Sequence, residues 1–416
     1  MTYSKRYDNG LRLVIEKMEG LFSVSTGVLV NTGSAYETQE ENGISHFIEH
    51  CVFKGTKTRS AFEISDYIDR IGASINAYTS KEITCYYTKS TSEHAKETLE
   101  VLSDLIFNST FLSKELKKEK GVILEEINMS EDSPEDILFD LLAESFYGKE
   151  GLGRTILGPK QNIRAFSKKD ILNYMDKYYT PDNVVISIAG NVDVAEMEKL
   201  VEEYFASKFE NKKCNNVSNE ISTRTDNLYR YKKIEQTHIG LALPAFKLSD
   251  DRCDALSLAN IILGGGMSSR LFQKIREEYG LCYSIYSYIS SYKSQGILEV
   301  YAGVNTSQKN KAFLKIVEEI KKLKSDGITE QEFLRGKEQI KSAFIMGRES
   351  SSTQMQLFGK YMLYFNKEFD IKEKLNRFDK ITKLEVEDVI NQAFDLTKMS
   401  TATVGTKKQP LTQGLF

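Results

Sequence analysis

The stretch His46-Phe47-Ile48-Glu49-His50 contains two of the chain's four histidines and one carboxylate. If this stretch is helical, residues 46 and 50 lie one turn apart on the same face, with residue 49 beside them. Two imidazoles at that spacing can bind one metal ion, while the carboxylate reaches a water molecule on that ion. The order His-x-x-Glu-His reverses a common zinc-protease pattern, so it indicates a hydrolytic metal site. The alternative is a helix whose histidines only cap or pack.

Two histidines leave such a site one protein ligand short, because catalytic zinc usually takes three protein ligands and keeps a fourth position for water. His94 and His238 each stand in polar surroundings without a neighbouring histidine. A better source is the segment 119–127, in which Glu119 and Glu126 lie two helical turns apart and share a face. One of these two carboxylates would bind the metal, and the other would support a histidine from behind. An ordinary charged helix is the alternative.

The length of 416 residues predicts two domains of about 200 residues each. Strand-like and helix-like segments occur in both halves, and the polar stretch 209–226 has the composition of a linker. We therefore predict an N-terminal catalytic domain at 1–208 and a C-terminal domain at 227–416. Residues 328–333 echo residues 112–116, which indicates an internal duplication.

Composition excludes several classes of protein. The net charge of −3 and the lack of a Lys/Arg block argue against a nucleic-acid partner. Five scattered cysteines fit a reducing compartment better than a disulfide framework. No signal-peptide core is visible near the start, and no apolar run approaches membrane-spanning length. We expect a protein of the bacterial cytoplasm with no membrane partner; an organellar matrix is the alternative.

The chain resembles the inverzincins, the zinc peptidases that include pitrilysin, insulysin and the mitochondrial processing peptidase. Residues 43–56 resemble the family's metal-binding helix, 72–82 its substrate-binding edge strand, and 122–127 the helix that brings the third ligand. Residues 152–159 are close to the catalytic (beta) subunit of the processing peptidase. The resemblance implies an α+β fold of two similar halves, each a mostly antiparallel sheet packed with helices, in which the second half closes a cleft.

The resemblance also assigns roles around one metal ion. Zinc binding and its support fall to five residues: His46, His50 and Glu126 as ligands, Glu49 as general base, and Glu119 in the supporting shell. The matching segment of the second half, 258–263, carries no ligands, so we expect one zinc ion per chain.

Arg276 and Tyr283 are candidate catalytic residues from the second half. The family has an Arg and a Tyr seven residues apart across the cleft from the zinc, and these two residues have that separation. The resemblance implies that Tyr283 donates to the oxyanion and that Arg276 holds the substrate backbone. The preceding glycine triplet 264–266 is interpreted as a tight loop, since no phosphate-binding Lys follows it. Family members of this length usually pair two chains, so a homodimer is expected.

Substrate recognition is predicted at three places. A peptide is expected to add as a strand along Asn76, Ala77 and Tyr78, so that backbone hydrogen bonds supply affinity. By resemblance, three further residues line substrate pockets: Asp136 and Asp140 receive an arginine before the cut, and Phe53 lines the pocket after it. A solvated acidic helix face is the alternative for the two aspartates.

Together these features predict a zinc metalloendopeptidase that hydrolyses unfolded or presequence-like basic peptides inside a closed chamber. Metal-activated water would attack the scissile carbonyl, with Glu49 as general base. A non-catalytic or partner-dependent subunit of a processing-peptidase-like complex is the first alternative, against which the intact ligand set argues. A hydrolase of non-peptide substrates is the second, and it would leave the edge strand without a role.

Overall fold

The computed structural model describes residues 2–214 and 222–406, which form two compact units. Within the described residues, unit 1 comprises 2–127, 155–214 and 346–370. Unit 2 comprises 128–154, 222–345 and 371–406. No helix of the described chain is long and apolar enough to span a membrane.

Strands and helices are numbered separately in chain order. The strands are β1 Thr2–Arg6, β2 Arg12–Lys17, β3 Ser23–Val30, β4 Ser74–Thr79, β5 Thr84–Thr91, β6 Val184–Gly190, β7 Asn227–Tyr231, β8 Gln236–Ala245, β9 Cys282–Ser290, β10 Gly296–Asn305 and β11 Ser400–Gly405. The helices are α1 Ile44–Cys51, α2 Ala61–Arg70, α3 Ala95–Asn108, α4 Ser113–Asp132, α5 Pro134–Tyr147, α6 Lys160–Ala165, α7 Lys168–Tyr178, α8 Val194–Val201, α9 Cys253–Gly264, α10 Lys309–Asp326, α11 Glu330–Gly347, α12 Ser351–Phe365, α13 Ile371–Lys380 and α14 Lys383–Ala393.

Unit 1 is built on a six-stranded sheet in the order β1-β2-β6-β3-β5-β4. Only β2 and β6 run parallel; the other neighbouring strands are antiparallel. The sheet's core face packs against α1, α3, α7 and α8 around large buried side chains such as Phe47, Tyr86 and Tyr174. Helix starts follow local sequence signals, as at Ser60, whose side chain and that of Glu63 form a capping box at the start of α2.

Unit 2 is built on a five-stranded sheet in the order β7-β11-β8-β10-β9. Again one pair, β7 with β11, is parallel and the rest are antiparallel. Its core face packs against α9, α10 and α14, with buried Leu258, Phe313 and Val389 among the contributors.

The two sheets have the same strand order. Strands β2-β6-β3-β5-β4 of unit 1 correspond, in order and in direction, to β7-β11-β8-β10-β9 of unit 2, and β1 is an extra edge strand. The predicted α+β class with two similar, mostly antiparallel halves is therefore confirmed. The two echoing segments lie at corresponding places, at the start of α4 and at the start of α11.

The compact units differ from the predicted division at 209–226. Helix α5, from the first half of the sequence, packs on β7, β8 and β11 of unit 2. Helix α12, from the second half, packs on β2, β3 and β6 of unit 1. Each helix buries its apolar face on the sheet that it covers. The two compact units are therefore defined by which elements pack together, and each includes one helix from the other half of the sequence. Residues 215–221 of the predicted linker lie outside the described residues.

Candidate metal centre

Helix α1 presents the two histidines because its other face is anchored in the core. Its buried apolar residues hold one side of the helix against the sheet of unit 1. Its first turn is capped by the buried side chain of Glu37, whose carboxylate accepts the backbone N–H of Gly43 at 2.8 Å and that of Ser45 at 2.9 Å. Asn42 donates to the same carboxylate at 3.0 Å. Burial raises the pKa of Glu37, although these hydrogen bonds oppose the rise.

Glu126 of α4 meets both histidines. Its Oε2 atom lies 3.6 Å from Nε2 of His46 and 3.5 Å from Nε2 of His50. Together the three residues offer ligand atoms that all lie within 4.8 Å of one another. Two atoms that each bind a tetrahedral zinc ion at about 2.1 Å are about 3.4 Å apart, so the observed spacings suit a shared ion.

The burial and charge of Glu126 and His46 also suit a bound metal ion. Oε2 of Glu126 is buried and has no hydrogen-bond partner within the described chain. A buried carboxylate oxygen without a partner is unfavourable unless a cation balances it. Burial, together with the neighbouring His50, lowers the pKa of His46 to about 4, so this imidazole is neutral at pH 7, as a metal ligand must be.

Glu119 orients His50 from behind. Its Oε2 atom lies 3.3 Å from Nδ1 of His50, while Nζ of Lys54 lies 2.9 Å from its Oε1. Burial alone would raise the pKa of Glu119, but the bonds with His50 and Lys54 outweigh burial and lower it. A carboxylate that accepts the Nδ1 proton leaves Nε2 of His50 with its lone pair toward Glu126, the arrangement typical of metal-bound histidines.

Glu49 is held by the end of the edge strand. The hydroxyl of Thr79 donates to Oε2 of Glu49 at 2.5 Å. Burial is the main reason that the pKa of Glu49 is raised, with a further rise from the charge of Glu126. A raised pKa makes the carboxylate a stronger base near neutral pH, which suits a general base.

Strand β4 is an edge strand, as predicted for Asn76, Ala77 and Tyr78. It pairs with β5 on one side, and among the described residues no strand pairs with its other side. The backbone N–H of Ala77 is bonded to the side-chain oxygen of Asn76 at 2.8 Å. Phe53 is half-buried against the cluster that contains Ile64 and Ile68.

Four predicted site residues belong to unit 2. The guanidinium of Arg276 lies 5.3 Å from the ring centre of Tyr283, whose side chain is highly exposed. Asp136 lies in the first turn of α5, where its N–H is bonded to the hydroxyl of Ser133, and Asp140 lies one turn further on. Their roles toward a substrate stay predictions.

Sequence reasoning missed three contributors to the site. Glu37 caps α1 from a preceding loop, and Thr79 reaches Glu49 from another element, so neither contact leaves a periodic pattern in the sequence. In the sequence, Lys54 is noticeable only as part of the stretch 43–56 that resembles the family's metal-binding helix. Its position one helical turn after His50 is the signal that would have suggested a contact near Glu119.

Comparisons with known proteins agree with this geometry. The family model described as Insulinase (Peptidase family M16) matches residues 12–160, and the one described as Peptidase M16 inactive domain matches residues 165–340. YmxG of Bacillus subtilis, named an uncharacterized zinc protease, is 44% identical over 94% of this chain and 95% of the relative. A Rickettsia felis protein with the same description is 36% identical over 92% of each. The chain belongs to the insulinase family.

Solved structures support this insulinase-family fold. A protease from Helicobacter pylori matches with a TM-score of 0.91 at 25% identity, over 97% of this chain and 99% of that one. A Pseudomonas fluorescens structure described as a peptidase M16 inactive domain matches with a TM-score of 0.90 at 17% identity, over 98% of each chain, which shows the fold alone. The predicted family resemblance is confirmed, whereas the closer likeness to the processing-peptidase catalytic subunit stays a prediction.

The second half of this insulinase-family chain fits the description of an inactive domain. In the ranges 2–214 and 222–406, the group that could hold a metal is His46, His50 and Glu126, all in unit 1. The absence of a metal site at 258–263 and one zinc ion per chain stay predictions.

Proposed function

We propose that this chain is a zinc metalloendopeptidase that hydrolyses unfolded peptides. The observation that carries the proposal is the convergence of His46, His50 and Glu126, with a buried Glu126 oxygen that lacks any other partner in the described chain. The relatives from Bacillus subtilis and Rickettsia felis are named zinc proteases, which supports a peptidase of this type.

The neighbouring residues supply the rest of the chemistry. A zinc ion held by the three ligands would provide an acidified water molecule and a positive charge for the developing oxyanion. Glu49 takes a proton from the attacking water and later passes it to the leaving amine, while Thr79 fixes the carboxylate that does so. Glu119 and Lys54 keep His50 in its ligand tautomer.

Substrate binding is assigned to the open edge of β4. A peptide that adds there gains backbone hydrogen bonds, which are nearly independent of its sequence. It would displace the Asn76 side chain from the N–H of Ala77.

Further roles are proposed from the family resemblance. Tyr283 is the oxyanion donor, and Arg276 holds the substrate backbone. Phe53 lines a pocket, and Asp136 and Asp140 receive a basic residue of the substrate. The homodimer, the basic presequence-like substrates and the cytoplasmic location are parts of the same proposal.

The decisive experiment compares wild type with Glu49→Gln. Both proteins are purified alone, their zinc content is measured by elemental analysis, and cleavage of a quenched basic peptide is followed. Glu49→Gln should keep zinc and lose about 10²- to 10⁴-fold in kcat, the range for loss of a general base. The exposed Glu40→Gln is the matched control and should behave as wild type.

Two results would count against the proposal. Wild type without bound zinc would remove the metal centre, and near-normal turnover by Glu49→Gln would remove the assigned base. A wild-type chain that binds zinc but cleaves nothing alone would favour the partner-dependent subunit, which sedimentation and co-purification would then test.

A further inference from the structure

The edge strand β4 has a second face that the proposed chemistry does not use. Side chains alternate along a strand, so Ile75, Ala77 and Thr79 point to one face and Tyr78 points to the other. The first face is covered by α1. Ile75 and Ala77 pack against the hydrophobic cluster that includes the buried residues of α1, and Thr79 contacts Glu49. The opposite face is covered by α12. The side chain of Tyr78 therefore points to α12, away from the metal ligands on α1.

Side chains of α12 hold Tyr78 in place. Its hydroxyl donates to Oε1 of Gln356 at 2.5 Å, and Nε2 of Gln356 lies 3.9 Å from the sulfur of Cys85 on the neighbouring strand. Nζ of Lys360, one helical turn beyond Gln356, lies 5.3 Å from the centre of the Tyr78 ring. The ring is thus fixed at its hydroxyl and contacted by a cation on its face.

Lys360 is a cation without an acidic partner in the described part of the chain. Lys360 is exposed as a residue, although protein surrounds its ammonium closely enough that burial lowers its pKa. Among the described residues, Lys360 contacts no carboxylate and lies over the Tyr78 ring. By contrast, Lys54 and Lys374 each contact a carboxylate, at 2.9 Å and 2.5 Å. The three N–H donors of Lys360 therefore stay available beside the substrate edge.

We propose that Lys360 and Tyr78 form a subsite that binds a carboxylate of the substrate. The inference rests on the proposed function, in which a peptide adds as a strand along β4. Every second side chain of such a strand points to the α12 face, and the side chain beside Tyr78 reaches the Lys360 ammonium. An Asp or Glu there would gain a charge-assisted hydrogen bond, whereas a Lys or Arg would be repelled. Lys360 is thus a specificity-determining residue.

A purely structural role for Lys360 makes a different prediction. Its methylene stem would cover the Tyr78 ring, and a substitution would weaken cleavage of all peptides alike. The ratio of rates for an acidic and a neutral peptide separates the two roles, because loss of packing leaves that ratio unchanged.

The test uses quenched peptides with amidated ends. One Glu is moved through the positions around the cut, and each peptide has a Gln counterpart. For wild type, kcat/KM should favour Glu by about two- to fivefold at one position, or at positions two apart, in the range of a partly exposed ion pair. Lys360→Met should abolish the preference and Lys360→Glu should reverse it, whereas the exposed Lys367→Met should keep it. Peptides with a free C-terminus show whether a terminal carboxylate substitutes for the side chain.

Salt provides a measurement that needs no variant, since the Glu preference of wild type should fall as ionic strength rises. Equal Glu-to-Gln ratios in wild type and Lys360→Met, or a preference at adjacent positions, would overturn the subsite while leaving the peptidase intact. If wild type cleaves no peptide, and Glu49→Gln binds none by fluorescence anisotropy, the proposed function and the subsite fail together.

Discussion

Lys54 connects the proposed zinc site to the turn that follows α1. Its Nζ atom lies 2.9 Å from Glu119, and that carboxylate contacts Nδ1 of His50 with its other oxygen. Without the lysine, Glu119 would lose the charge that keeps it ionised and pointed at the histidine. A residue that touches no metal ligand thereby contributes to metal affinity.

We expect Lys54→Met to lower zinc affinity about tenfold, the lower end for loss of an outer-shell partner. Competition with a chromophoric chelator measures this affinity directly, whether or not a substrate is known. Lys57→Met, at an exposed lysine three residues on, should leave affinity at the wild-type value. Equal affinities for Lys54→Met and wild type would mean that Glu119 orients His50 without help.

Arg270, four residues after the glycine triplet 264–266, has a structural partner. Its guanidinium holds Glu332 with two bonds, of 2.7 Å and 2.8 Å, and Glu332 also caps α11 through the N–H of Thr329. Burial would raise the pKa of Glu332, but the bonds with Arg270 and Thr329 lower it to about 2. Arg270 thus anchors the start of α11 in unit 2.

The depressed pKa of Glu332 predicts how stability depends on pH. Its folded pKa lies below its unfolded pKa, so its contribution is complete above about pH 4.5 and is lost as pH falls toward about 2. Glu332→Gln should lower the free energy of unfolding at pH 7 by about 3 kcal/mol. Urea titrations should show the same gap to wild type at pH 7 and pH 5 and a smaller gap at pH 3.5, whereas the exposed Glu330→Gln should show little gap at any pH.

At the scale of elements, α12 packs directly against the sheet of unit 1 at Gly359. A Cβ atom at Gly359 would lie 2.7 Å from Cδ1 of Leu29 and 2.8 Å from Cβ of Ser187, both in buried strands. Glycine is needed here because the helix backbone approaches the strands directly. The same helix carries Gln356 and Lys360 to Tyr78, so its distance from the sheet sets the position of the proposed carboxylate subsite.

Gly359→Ala should therefore destabilise the protein by about 1–3 kcal/mol through overpacking, despite the better helix propensity of alanine. Gly121 offers a matched control, because it lies inside α4 and a Cβ atom added there would meet no neighbouring atom within 4 Å. Gly121→Ala should be neutral or stabilising by about 0.5–1 kcal/mol. Thermal unfolding of both variants checks the opposite signs; the same sign in both would contradict the close-packing argument.

At the scale of the whole molecule, each sheet depends on a helix from the other half of the sequence. Helix α12 buries Met355, Phe358 and Met362 in unit 1, and α5 buries Leu138 and Leu142 in unit 2. A fragment of residues 1–208 would lack α12 and leave an apolar sheet face uncovered.

We expect fragment 1–208 alone to aggregate or to unfold without cooperativity, and to bind a hydrophobic dye. Co-expression with fragment 209–416 should restore a folded complex that binds zinc, since the second fragment supplies α12. The measurements are size-exclusion chromatography, calorimetry and zinc content. A cooperative, zinc-binding 1–208 fragment would show that the exchanged helix is dispensable.

How far the sequence predicted this molecule depends on the range of each contact. His46, Glu49 and His50 share one helix, and Glu119 and Glu126 share another, so helical periodicity showed their common faces before the fold was known. The family resemblance then joined the two helices. The exchange of α5 and α12 was not predicted, because an apolar helix face shows that it is buried but not which sheet covers it.

The exchange of helices also has a consequence for biosynthesis. Because α12 ends at Phe365, the face of the unit 1 sheet that this helix covers stays open on the ribosome until residue 365 has been translated. Such long-range pairing slows folding and leaves the nascent first half exposed to chaperones. A chain that folds in this order completes unit 1, which carries the candidate metal centre, only after α12 has left the ribosome.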